Sequence, residues 1–195
     1  MKINEDLWSQ NQYTVLADFV HHLAYYRVLS RFYNESQIRS EYWTKTIDAH
    51  LLIAIIDWCM VFGTDSNEIH WKKVVIDEQY QCDFRRHIRK LANLTKKQMD
   101  EFWSSMTNFR NKYAVHRTAA IHYPDVPYMD TALIIATNYD DWFRLKVNVS
   151  FAEPSLNERY ERLLLTSERF LKELISYGPT IDQEYEGRPP GKRKE

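Results

Sequence analysis

Apolar residues recur along this chain at spacings of three and four over long stretches, with polar residues filling the positions between. From about Tyr13 to Tyr33, "YTVLADFVHHLAYYRVLSRFY" places Val15, Phe19, Leu23, Tyr26 and Leu29 on one side of a helix. Asn34 to Ser36 breaks the pattern, and a second helix is predicted from about Gln37 to Phe62. The second half of "IDAHLLIAIIDWCMVF" is apolar on most sides, as in a helix at the middle of a bundle. "GTDSN" (63–67) reads as a loop, and "HWKKVV" is too short to assign. A basic helix, "YQCDFRRHIRKLAN", leads to Asn93. Thr95 with Gln98 three residues on is a capping box, which starts the helix "KKQMDEFWSSMTNFRNKYAVHRTA". Two prolines in "HYPDVPY" mark a loop. Further helices are predicted over roughly Met129 to Asn148 and, after Pro154, over Leu156 to Tyr177.

This pattern predicts an all-α fold, an up-and-down helical bundle of five to six helices in one domain over residues 1–178. Only 4 glycines in 195 residues speak against a turn-rich β-protein. Beyond Gly178, "PTIDQEYEGRPPGKRKE" has almost no aliphatic content, so residues 179–195 are expected to form a polar, disordered, solvated tail. The charge is balanced, 26 basic against 27 acidic residues, which argues against a strong grip on long duplex nucleic acid but leaves room for a local basic cleft. Cys59 and Cys82 read as reduced thiols. The start "MKINEDLWSQ" lacks the apolar run of a signal peptide, and "LLIAII" falls far short of the roughly 20 residues of a membrane span. A cytoplasmic protein without membrane association is the expectation.

One residue breaks the helical pattern. At about 100° per residue, Phe102, Trp103, Met106, Phe109 and Tyr113 fall in one stripe, and Arg110 falls inside it. His116 lies at the border of the stripe and Asn111 on another side. A guanidinium facing a core costs several kcal/mol unless it is paired. Either Arg110 pairs with a buried carboxylate, for which Asp57 in "LLIAIIDWC" is the obvious candidate, or the stripe faces a cleft or a partner subunit.

The segment "FRNKYAVH" resembles the signature of the HEPN superfamily: an Arg, then a polar residue, then a His four to six residues after the Arg. Those positions are Arg110, Asn111 and His116. The stretches "IDWCMVFGTDSNEIHWKK" and "FWSSMTNF" are similar to the AbiU2-like abortive-infection branch, and the resemblance covers roughly residues 10–178. A second spacing match, Arg117 to His122, runs toward Pro124 and has Thr118 after the Arg, so it is set aside. The resemblance implies a HEPN-like helical bundle, a homodimer, and a metal-independent ribonuclease of the toxin or phage-defence kind that needs no cofactor. RNA is then the substrate, and an antitoxin or another defence component a partner. It also implies the alternative, a catalytically inactive HEPN module that binds nucleotide, RNA or a protein, or only scaffolds a dimer. The sequence continues "HRT" instead of the His-x-Tyr pattern on which a nucleotidyltransferase antitoxin acts in some members.

The residue types suit that chemistry. Cleaving RNA without a metal needs a base for the 2′-hydroxyl, a charge for the phosphorane and an acid for the leaving oxygen. His116 serves as base or acid, Arg110 holds the phosphate through its fork of donors, and Asn111 orients the phosphate or the histidine. On a straight α-helix, residues six apart differ by about 9 Å in height and about 120° in direction, so a two-fold axis near this helix is expected to complete the site. On the preceding helix, Arg85, Arg86, Arg89 and Lys90 offer either a phosphate-tracking rim or a solvated face. No histidine has an i+4 His or Cys partner, so no metal site is expected. Most Trp and Tyr sit at core spacing.

Overall fold

A computed structural model describes residues 4–35, 40–115, 125–147 and 151–177. Its helices are α1 (Glu5–Leu7), α2 (Tyr13–Glu35), α3 (Glu41–Phe62), α4 (Trp71–Val74), α5 (Glu78–Leu91), α6 (Lys96–Phe109), α7 (Met129–Val147) and α8 (Leu156–Tyr177). Two π-helical segments, Trp8–Gln12 and Arg110–Val115, join α1 to α2 and extend α6. The described residues are all-α, and none of their helices is long and apolar enough to cross a membrane. Residues 179–195, the expected tail, lie outside the described residues, as does the region around Asn34 to Gln37 beyond Glu35.

Helix α2 is the spine of the bundle. Phe32 meets Trp43 and His22 meets His50, so α3 returns antiparallel along it. Arg27 binds Asp130, and Gln12 binds Tyr139, so α7 is antiparallel to α2 as well. Tyr13 meets Arg159 and Arg31 meets Glu168, which sets α8 parallel to it. Serving three neighbours, α2 buries more than the expected stripe: Leu16, Val20 and Ala24 are as fully covered as Phe19 and Leu23. Buried Gln12 is satisfied at both ends, its Nε2 donating to Ile69 O (2.9 Å) and its Oε1 accepting from Tyr139 Oη (2.6 Å).

The helix boundaries follow from capping chemistry. Helix α3 starts at Glu41, later than the pattern alone suggests, because the Ser40 hydroxyl accepts from Trp43 N. It stops at Gly63, where a Cβ would lie 2.3 Å from Cys59 O, a contact no side chain tolerates. Asn67 Nδ2 donates to the carbonyls of Met60 and of Cys59, the latter also accepting from Gly63 N, closing the same end. The capping box of α6 forms as expected, Gln98 N donating to Thr95 Oγ1 and Thr95 N to Gln98 Oε1. Between α5 and α6 the chain turns at Asn93 with φ 52°, a left-handed conformation that Asn tolerates.

Candidate functional site

The stripe on α6 behaves as a core face. Phe102, Met106 and Phe109 are buried, Trp103 is half-buried, and Phe102 and Trp103 pack on Trp58 of α3. Trp103 Nε1 also donates to Phe62 O, which fastens α6 to the end of α3. The α-helical ladder ends at Arg110, whose N–H is shared between Met106 O and Thr107 O. From there the backbone continues as a π-helix through Val115. Such i→i+5 turns are rare and concentrate at functional sites.

This turn alters the geometry that the sequence suggested. A π turn carries more residues per revolution than an α turn, so the 100° spacing of a straight α-helix does not hold over Arg110–Val115. Arg110 comes out half-exposed, between core and solvent. Its Nε and Nη2 both donate to Asn111 Oδ1, at 3.0 and 2.9 Å. The two neighbouring motif residues are thus joined, and Asn111 fixes the edge of the guanidinium. A guanidinium has five N–H donors, and the rest have no protein acceptor among the described residues. Tyr113, half-buried, packs against Phe109 with ring centroids 5.2 Å apart. His116 lies outside the described residues, as do Arg117 and His122.

Asp57 is not the partner of Arg110. Residues two apart on a helix point about 200° apart, so Asp57 and Cys59 occupy opposite sides of α3. Arg110 lies on the Cys59 side, where its charge opposes the burial that pushes the Cys59 thiol up to about 12. Asp57 faces α2 instead. Burial first, and then the charge of Asp18, raise its carboxyl to about 7, and its buried Oδ2 has no hydrogen-bond partner. Of the two explanations for a cation in the stripe, the buried pair with Asp57 is absent.

The basic residues of α5 divide between two sides. Phe84 and Ile88 are buried, and Arg85 and Arg89 stand next to them on the wheel, at the mouth of a cavity shared with α4 and α6. Arg86 and Lys90 are exposed on the far side, Arg86 beside Asp83. The four-residue spacing of Arg85 with Arg89 and of Arg86 with Lys90 accounts for the division; which pair meets the cavity is set by packing. Two histidine features escaped the sequence. His22 Nδ1 and His50 Nδ1 are 2.8 Å apart, brought together only by the antiparallel pairing of α2 and α3. His70, 1 % exposed, caps α4 by accepting from Lys72 N. Among the described residues no group of three or more His, Cys, Asp or Glu is placed to hold a metal ion.

No protein-family model, no curated protein and no solved structure matches the chain.

Proposed function

We propose that this chain is a HEPN-like, metal-independent ribonuclease of the toxin or phage-defence kind, acting as a cytoplasmic homodimer. The observation that carries the reading is the state of Arg110: half-exposed, held by Asn111, and without a carboxylate partner among the described residues. A guanidinium so placed keeps free donors for a phosphate, which a structural arginine would have spent on an ion pair.

The reaction follows from the groups. His116, as base, takes the proton of a ribose 2′-hydroxyl, and the oxygen attacks the adjacent phosphorus. Arg110 stabilises the charge that accumulates on the phosphorane oxygens. The bond to the 5′-oxygen breaks as that oxygen takes a proton, leaving a 2′,3′-cyclic phosphate and a 5′-hydroxyl end. One histidine cannot be both base and acid in a single passage, so two motifs in one cleft, one from each subunit, supply the pair. Of the α5 cations expected to follow flanking phosphates, Arg86 and Lys90 share one exposed face and Arg85 and Arg89 the other, so one face at a time can track a strand. The test is RNA cleavage in the presence of a chelator by wild type and by His116→Ala. Cleavage by wild type, with cyclic-phosphate ends, and its loss in a variant of unchanged circular dichroism are expected. Cleavage by the variant at the wild-type rate would remove His116 from the mechanism.

A further inference from the structure

A cleft of about 470 Å³ opens between the second half of α2, the first turn of α3 and the latter half of α8. Val28 and Leu171, both buried, form its floor. Tyr42 and Phe170 stand at its rim, 70 % and 65 % exposed, one on α3 and the other on α8. Trp43 lines the α3 side, its ring edge-to-face with Tyr42 at 5.5 Å. Large rings left in water around one apolar cleft mark a surface that something else covers.

The chain sorts charge away from this cleft. In "TSERFLKEL" of α8, Thr166, Ser167, Phe170, Leu171 and Leu174 line it. The four residues between them, Glu168, Arg169, Lys172 and Glu173, are all charged and take no part in the lining. Glu168 is held by Arg31 of α2, and Arg169 lies 3.5 Å from Glu173. None of the ten described residues around the cleft is charged. An ion entering it would shed water and meet no counter-charge, a loss that nothing there offsets. A neutral molecule suffers no such loss. One polar contact is on offer: Ser167, half-buried, has no partner for its hydroxyl among the described residues, whereas Thr166 Oγ1 donates to Arg162 O at 2.9 Å. The volume lies within the roughly 300–1,000 Å³ of small-molecule sites. Two turns of a partner helix, about 10 Å across and about 11 Å long, fill roughly 850 Å³ and would rest on the rim alone.

We infer that this cleft binds a small neutral alcohol with an apolar body, the body against Val28, Trp43 and Leu171 and the hydroxyl at Ser167. No described residue of the cleft belongs to α6, and the inference does not rest on the ribonuclease reading. The experiment follows the fluorescence of N-phenylnaphthylamine, a neutral apolar dye, with the full chain at neutral pH, and its displacement by decanol and by decanoate. Decanol should displace the dye at a concentration roughly tenfold or more below that of decanoate, since only the carboxylate must enter without a counter-charge. Ser167→Glu, which puts a carboxylate in the lining, should weaken dye and decanol by a similar factor. Phe170→Ala, at the exposed rim, should weaken both by a smaller factor with unchanged circular dichroism. Equal displacement by decanol and decanoate would overturn the selection for a neutral ligand. No displacement by decanol, or binding unchanged in the folded variants, would overturn the site. A dye signal that falls as the chain is concentrated, with association seen by light scattering, would make a second copy the occupant and overturn it too.

Discussion

Arg110 illustrates how one residue separates a structural from a functional account. A buried Arg–Asp pair stripped of its arginine leaves an unpaired carboxylate, at a cost of about 3–5 kcal/mol. The pairing of Arg110 with the Asn111 side chain, and its half-exposed position, place it outside that case. Arg110→Ala is therefore expected to cost no more than about 1 kcal/mol in urea unfolding while abolishing RNA cleavage. A loss several times larger, rescued by Asp57→Asn, would make Arg110 a structural cation. Its place in the stripe was legible from the sequence, since periodicity alone puts it among Phe102, Met106 and Phe109. Its partner was not. Choosing between Asp57 and Asn111 requires knowing which side of α3 meets α6, and that is settled by long-range packing around Trp58 and Trp103.

At the scale of elements, two partly or wholly buried groups tie helices to pH in opposite senses. His70 caps α4 only while neutral, and its folded value of about 4 lies below the ordinary 6.5. Its contribution is complete above pH 6.5 and is lost as pH falls toward 4. Asp57, between α2 and α3, is raised from 3.8 to about 7, so its contribution is complete below about 4 and lost as pH rises toward 7. Urea midpoints across this range should show Asp57→Asn gaining on wild type as pH rises, by about 1–2 kcal/mol after allowing for solvent screening. His70→Asn, which keeps a capping side chain, should gain on wild type as pH falls. Curves parallel to wild type for both variants would mean that neither group is desolvated as described. Elements with local signatures were readable in advance: the Thr95–Gln98 box and the start of α8 after Pro154 depend on residues a few positions apart. The burial of Gln12, and which pair of α5 cations meets the cavity, depend on neighbours distant in sequence. The π turn at Arg110 departs from the 3.6 residues per turn on which a helical wheel is built.

For the whole molecule, the central claim is that two copies of the motif form one cleft that cleaves RNA. Both His116 residues then act on the same phosphate, one as base and one as acid, so a dimer with a single His116 has no complete site. The direct measurement is cleavage by a mixed dimer of wild-type and His116→Ala chains, co-expressed with different tags and isolated through both. The account predicts a wild-type dimer that cleaves RNA and a mixed dimer as inactive as the His116→Ala dimer. A mixed dimer with about half the wild-type activity would show that each chain works alone, as two independent sites in a symmetric dimer would. A wild-type chain that is monomeric, or that cleaves no RNA, would contradict the claim outright.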